Sequence, residues 1–327
     1  MKTIKRAAVE SVRKAAPEPL QRIGRHPYIW ACTATASLRL LPGFMLIGAQ
    51  RCGTTSLFHA LAAHPQVSRP RFHKGVNYFD LNYYRGVDWY RGHFPMAEPA
   101  RRRAARHGAP VAFEASGYYL YHPFAMERLA RDLPAVKLVV MVRDPVERAF
   151  SAYKHESARG FERESFEKAL ELEESRLAGE ISQMRDDPRY ESFTHRHHSY
   201  KRRGHYAEQL ERVFRHFPCE QVHVIDSEAY FSQPAAVYRR LLEFLGLCSF
   251  EPADFRGRNA RPGPPMESKT RHMLEQYYAP YDERLAALLG RSLCWAPMRN
   301  QGVSEVNKAD RRGNQSPTPE SPRERPE

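Results

Sequence analysis

Phe44-Met45-Leu46-Ile47-Gly48-Ala49-Gln50-Arg51-Cys52-Gly53-Thr54-Thr55-Ser56-Leu57 is the stretch on which the fold turns. Four apolar residues run into Gly48, a short polar turn follows, and Gly53 opens an apolar-periodic segment through Leu57, Phe58 and Leu61. That order reads as a buried strand, a tight loop and a helix N-terminus. Unpaired backbone N–H groups and the positive end of the helix dipole then face one point, which suits an anion. Gly48 to Gly53 has the G-x-x-x-x-G spacing of a phosphate-binding loop, with Thr55 at the Ser/Thr position. Thr54 stands where a nucleoside triphosphatase has its lysine, and the cation, Arg51, lies inside the loop instead. The loop suits a phosphate but departs from the pattern that serves ATP.

Outward from this loop, 327 residues suffice for one α/β domain with a full core, expected over 41–300. Residues 1–40 read as a basic N-terminal arm (Lys2, Lys5, Arg6, Arg13, Lys14) and 301–327 as a disordered polar tail. A net charge of +13 favours a polyanionic ligand, whether nucleotide phosphates, nucleic acid or a sulfated sugar. The five cysteines are widely spaced without a C-x-x-C pair, which argues against a disulfide framework or zinc knuckle and for a reducing compartment. No stretch approaches a transmembrane span, and the arm lacks the apolar region of a secretory signal. The expected location is therefore cytoplasmic, with weak association of the basic arm with an anionic membrane surface.

Along the chain, the first helix should end at His64-Pro65, since proline cannot continue it. Aromatic residues from Tyr78 to Phe94 should pack a helix and a lid against the sheet. Val111-Ala112-Phe113-Glu114 reads as a short strand ending in a carboxylate, followed by a turn into a helix through Leu129. Residues 136–142 form the clearest buried strand, ending in Arg143-Asp144-Pro145, where Asp144 caps the next helix and Pro145 suits its first turn. A helix over 206–217, a strand over 222–225, a helix closing on Gly246 and a last helix over 274–289 follow. Alternating strands and helices give an α/β fold, a parallel sheet flanked by helices on both faces.

In such sheets ligands bind beyond the carboxyl ends of the strands. Three segments should converge there: the loop from Arg51 to Ser56, Glu114 with Ser116, and Arg143 with Ser151. Arg143 and the Ser151 hydroxyl would form a second anion pocket. Two such pockets fit a nucleotide phosphorylated at two places.

These residues carry a resemblance. Gly48 to Leu57 is similar to the 5′-phosphosulfate loop of sulfotransferases that use 3′-phosphoadenosine 5′-phosphosulfate (PAPS), and Val139 to Tyr153 resembles their 3′-phosphate motif. Gly204-His205-Tyr206, Phe244-Leu245-Gly246-Leu247 and Ala260-Arg261-Pro262 echo the family more faintly, so that the likeness spans about 43–295. The wording is closer to the carbohydrate, heparan-type branch than to cytosolic small-molecule enzymes. The resemblance implies a P-loop-like fold, PAPS as co-substrate without a metal, and a carbohydrate or glycolipid-like acceptor with a hydroxyl or amine. It implies that Arg51, Cys52, Gly53, Thr54, Thr55 and Ser56 hold the 5′ end, that Arg143 and Ser151 hold the 3′-phosphate, and that Arg261 closes over the cofactor. Arg51 also stabilises charge during transfer. The heparan enzymes carry a K-E-x-H-F-F-D segment with a catalytic glutamate and a histidine; here it reads Lys74-Gly75-Val76-Asn77-Tyr78-Phe79-Asp80. The candidates left for the base are Glu114, preferred for its place at a strand end, then His73, and Asp80.

Two other classes fit parts of the sequence. In a P-loop kinase or NTPase, Asp226 at the end of the 222–225 strand would be the Mg²⁺ ligand, but the loop lysine is missing. A nucleic-acid binder would explain the charge, yet no RNP, KH or zinc-finger pattern occurs, so no nucleic-acid partner is expected. With Gly75 and Asn77 in place, an inactive sulfotransferase-like binding module is the remaining alternative. The histidines His195, His197, His198 and His205 lack a carboxylate or cysteine at ligand spacing and are read as part of a basic loop.

Overall fold

A computed structural model describes residues 29–255 and 264–296. The core is a five-stranded sheet, all parallel, in the order β2-β3-β1-β4-β5. The strands are β1 (Pro42–Gly48), β2 (Val67–Ser68), β3 (Val111–Ala115), β4 (Lys137–Val142) and β5 (Val222–Asp226). The expected strand positions hold, and β1, the strand that leads into the phosphate loop, lies at the centre of the sheet. Phe44 to Ile47 and Leu138 to Val142 are buried without alternation. That pattern requires helices on both faces, the condition under which parallel sheets are found.

Helix α1 (Thr54–Ala63) starts from Gly53, whose φ of 84° places it in the left-handed region that a side chain resists. Helix α2 (Ala125–Asp132) follows β3 only after the turns of residues 116–124, later than the sequence suggests. Helix α3 (Pro145–Ala158) follows β4, and the Asp144 side chain accepts from the Val146 amide at 2.9 Å, the expected N-cap. Helices α4 (Phe166–Leu177), α5 (Tyr206–Phe214), α6 (Pro234–Leu245) and α7 (Ser268–Leu289) complete the frame. Gly246 ends α6 in the left-handed conformation, and the Leu247 amide bonds back to the Leu242 carbonyl at 2.9 Å.

The main core joins the sheet to α1, α5 and α6, with Phe44 stacked on Phe113 at 5.0 Å. A second core of Val146, Ala149, Phe166, Leu170, Leu274 and Tyr278 binds α3, α4 and α7 together. Residues 29–40 belong to the folded body rather than to a loose arm. Arg39 donates to the Phe94 carbonyl at 2.7 Å, and Arg91 returns a bond to the Arg39 carbonyl at 2.7 Å. The remainder of the arm and the polar tail lie outside the described residues.

At Gly48 the chain passes so close to Leu120 that an added Cβ would stand 2.7 Å from the Leu120 Cβ. Gly48→Ala is therefore expected to destabilise the protein by about 1–3 kcal/mol, the usual cost of overpacking, measured by urea unfolding.

Candidate active site

A cavity of about 960 Å³ opens beyond the carboxyl ends of β1, β3 and β4. The phosphate loop supplies Gln50, Arg51, Gly53, Thr54 and Thr55 to its wall. The turn after β3 supplies Ser116, Gly117 and Tyr118, and the segment after β4 supplies Arg143 and, from α3, Ser151 and His155. The three expected segments reach one cavity through Arg51, Gly53, Thr54, Thr55, Ser116, Arg143 and Ser151, while Glu114 and Ser56 do not line it. Arg51 Nε donates to Ser151 Oγ at 3.1 Å, so the loop and the middle of α3 are joined directly. Arg51 itself takes a φ of 71°, which turns the loop back on itself.

Sequence reasoning does not single out Lys74 as a site residue, yet the structure brings it to the loop. Its Nζ donates to Thr54 Oγ1 at 2.9 Å and Thr55 Oγ1 at 3.4 Å, so a distant segment brings an ammonium to the helix N-terminus where the loop lysine is missing. Burial pushes this amine down to about 7. The Ala115 amide holds the same segment through the Lys74 carbonyl at 3.0 Å. The signal in the sequence was Lys74 at the head of a familiar motif; its contact with the loop depends on tertiary structure.

The next residue accounts for the missing glutamate. A Cβ on Gly75 would stand 2.7 Å from the Ala115 carbonyl oxygen, so the backbone here lies flat on the end of β3. No longer side chain fits without moving the loop. Asn77, in the left-handed region with φ 55°, faces the cavity and accepts from Ser116 Oγ at 3.2 Å. Asp80 is buried behind this wall, accepting from the Leu81 amide at 2.7 Å, and burial pushes its carboxyl up to about 6. It lies inside the short helix Tyr78–Leu81, whose N-cap position is Asn77.

Glu114 requires a correction of placement. Its carboxylate is fully buried, does not line the cavity and has no well-formed hydrogen bond at either oxygen. The nearby hydroxyls of Tyr119 and Tyr90 offset part of the burial cost, and the carboxyl is pushed up to about 7. The side chain of β3 that looks toward the ligand-binding end is therefore not this one. His73 does line the cavity and is exposed.

Cys52 of the loop and Ser56 of the first turn of α1 turn their side chains inward. Cys52 is buried against the Tyr206 hydroxyl at 3.6 Å, and burial pushes its thiol up to about 11, the reverse of an activated cysteine. Ser56 Oγ donates to the Phe255 carbonyl at 3.0 Å and lies 3.3 Å from the Tyr230 hydroxyl. Arg261 lies outside the described residues. Asp226, the metal ligand of the kinase reading, is held by Arg291 through two bonds of 2.7 Å and does not line the cavity. Its carboxylate is occupied by a guanidinium, which overturns that reading. Among the described residues no group of three His, Cys, Asp or Glu side chains is placed to hold a metal ion.

Charge on the cavity wall is one-sided. Arg51, Lys74, Arg143, Arg159, Arg196 and Arg203 line it, against one carboxylate among the described residues, Glu228. Glu228 accepts from the Asp144 amide at 3.2 Å, and burial raises its pKa. Such a wall suits a ligand with several negative charges.

Comparison with known proteins agrees with this geometry. The sulfotransferase domain family matches residues 41–255, and the chain belongs to that family. Its members transfer a sulfuryl group from PAPS. A sulfotransferase structure from Alicyclobacillus acidocaldarius is 31% identical and superposes with a TM-score of 0.58, covering 77% of this chain and 97% of that one. The membrane-associated sulfotransferase kil1 of Dictyostelium discoideum is 27% identical, covering 79% of this chain and 67% of its own. Human bifunctional heparan sulfate N-deacetylase/N-sulfotransferase 3 is 29% identical over 81% of this chain, but the match spans just 31% of that protein. The expectation of a cytoplasmic location is corrected by the membrane-associated relative. Among the described residues no helix is long and apolar enough to cross a membrane.

The buried Glu114 gives a test of its own. Its folded-state pKa lies above the ordinary 4.5, so the unfolded chain loses this proton first. Stability then falls as pH rises from 4.5 toward 7 and does not recover above that. Glu114→Gln is expected to be more stable than the parent by about 2–3 kcal/mol at pH 8 and nearly equal at pH 4, by chemical unfolding at both pH values.

Proposed function

We propose that the chain transfers the sulfuryl group of PAPS to a hydroxyl or amine of a carbohydrate or glycolipid-like acceptor, with no metal ion in the reaction. One observation carries this reading: the phosphate loop, Lys74 and the Arg143–Ser151 pair open into a single cavity. In this reading the amides from Arg51 to Ser56, the Thr54 and Thr55 hydroxyls and Lys74 hold the 5′ end of the donor. Cys52 and Ser56 contribute backbone and packing, not side-chain contacts. Arg143 and Ser151 hold the 3′-phosphate, the exposed ring of Phe231 beside Gly53 offers an apolar face to the base, and Arg261 closes the site. Bound PAPS supplies an activated sulfuryl group and a bisphosphate leaving group.

Arg51 and Lys74 stabilise negative charge on the departing oxygen, the term that dominates such transfers. Lys74, with its pKa near 7, takes up a proton as the anion arrives. His73 accepts the proton of the acceptor, since it reaches the cavity and Glu114 does not. The carbohydrate acceptor is supported by the heparan sulfate enzymes among the relatives. Association with a membrane surface is supported by the name of kil1 and by Trp30, 78% exposed within the 1–40 segment.

Calorimetric binding of 3′,5′-adenosine bisphosphate is expected to need no metal, to exceed that of ADP with Mg²⁺, and to fall about tenfold or more in Arg143→Ala. Equal or better ADP·Mg²⁺ binding with an indifferent Arg143→Ala would sink the reading. The same titrations carry a pH signature. Because the free-state pKa of Lys74 is about 7, affinity for the bisphosphate should decline from pH 7 to 9, with proton uptake seen as buffer-dependent heat. Lys74→Ala should weaken binding at pH 7 and remove that uptake; uptake that persists unchanged would assign it elsewhere.

A further inference from the structure

The phosphate loop is held from outside. Consecutive loop residues are gripped by side chains from far along the chain: Gln50 by Arg203, Arg51 by Ser151 at 3.1 Å, and the Cys52 carbonyl by the Ser227 hydroxyl at 2.6 Å. The bond from Arg203 is not explained by donor contacts. Arg203 is buried, 4% exposed, at the cavity wall. Its guanidinium lies against the rings of Tyr118, at 5.1 Å, and Tyr121, at 4.9 Å. It also donates to the carbonyls of His195 at 3.2 Å and Arg196 at 2.6 Å. These contacts set the plane of the fork before any ligand arrives. All its acceptors, the Gln50 amide included, are neutral. Burying a cation among neutral partners costs free energy that a buried apolar residue would not.

The bond decides which end of Gln50 meets the cavity. A guanidinium carries five donors and no acceptor, so it admits one orientation of the Gln50 amide, with Oε1 toward Arg203. Turning the amide over would set its NH₂ group against the Arg203 N–H groups. Nε2 is thereby left as the uncommitted end. Among the described residues it donates to no protein group, and Gln50 lines the cavity. Two N–H donors then stand beside a helix N-terminus and add to the anion-binding groups there. Without Arg203 the amide could present either end, and its Oε1 end would repel an anion.

We propose that Arg203 is a positioning residue for sulfuryl transfer: it acts through Gln50, holding the side-chain amide so that Nε2 donates to the anionic group seated in the phosphate loop. This rests on the sulfotransfer reading and adds a contact at the 5′ end of the donor. Arg203 contributes orientation, and Gln50 makes the contact.

The test is calorimetry on the full chain at neutral pH with two nucleotides. The 3′,5′-adenosine bisphosphate carries the 5′-phosphate that reaches the loop, and 3′-AMP lacks it. Gln50→Met should weaken bisphosphate binding about tenfold and leave 3′-AMP binding as in the parent. Gln50→Glu keeps an acceptor for Arg203 and gives it a counter-charge, but supplies no donor. Its melting temperature should rise above that of the parent while its bisphosphate affinity falls below that of Gln50→Met. A merely structural role would move the two together. Arg203→Lys keeps the charge without the fork and should weaken the bisphosphate as Gln50→Met does. The double variant Gln50→Met/Arg203→Lys should be no weaker than either single one, because both remove the same contact. Additive losses, an equal loss of 3′-AMP affinity, parent-like bisphosphate binding in Gln50→Met, or stability and affinity that fall together in Gln50→Glu each overturn the proposal. If Arg203→Lys does not fold, the two Gln50 variants decide it. Failure of either nucleotide to bind the parent protein falls on the donor reading and is scored separately.

Discussion

Like charges crowded around one cavity repel, and much of this structure is the means by which that repulsion is held. Five arginines and a lysine line the site. Three of the arginines are backed by carboxylates: Arg143 by Glu147 at 3.7 Å, Arg159 by Glu156 at 3.2 Å, and Arg196 by Glu191 at 3.8 Å. None of those carboxylates lines the cavity, so the counter-charges limit the cost of assembly without cancelling the field inside. Lys74 answers differently, with a pKa that burial brings to about 7. Arg203 is held by neutral carbonyls and two aromatic rings. The free protein is thereby prepared for an anion at some expense of its own stability.

The frame that carries these charges was legible in the sequence because its signals are local. An apolar run before a glycine-bounded loop, and a second before Arg143-Asp144-Pro145, are each complete within about fifteen residues by the usual lengths of strand and cap. The rule that ligands gather at the carboxyl ends of parallel strands then places Arg51, Arg143 and Ser151 near one another; all three line one cavity, and Arg51 bonds Ser151 at 3.1 Å. What could not be read was the direction of individual side chains. In β3 all positions from Ala112 to Ala115 are buried, so alternation gives no hint of which face leads to the ligand. Glu114 was placed by its position at a strand end, and its parity sends it into the core. The inward turn of the Cys52 and Ser56 side chains has a related cause: a tight loop and the first turn of its helix present backbone to the cavity and store these side chains behind.

Lys74 and Gly75 show the opposite kind of limit. The sequence displays the absence of a lysine at position 54 and of a glutamate at position 75 as two separate departures from a pattern. In the fold they are one arrangement. The backbone of residues 74–75 lies flat on β3 through the bond from the Ala115 amide to the Lys74 carbonyl. That contact leaves no room at Gly75 and aims Lys74 at Thr54 and Thr55. A substitution that looks like a loss in one dimension is, in three, a different route to a positive charge at the same helix end.

The bond between Arg51 and Ser151 joins residues 100 positions apart, and the bond between Arg203 and Gln50 spans 153. With β1 at the centre of the sheet, its partners β3 and β4 arrive long after it in the chain. A polypeptide still emerging from the ribosome thus holds the phosphate loop before Ser151 and Arg203, the partners of its Arg51 and Gln50, have been made. Non-local pairing of this kind slows folding, and it makes the complete site a product of the finished domain. Ligand present in the cell would then draw the whole fold toward completion by mass action rather than rescue any fragment of it.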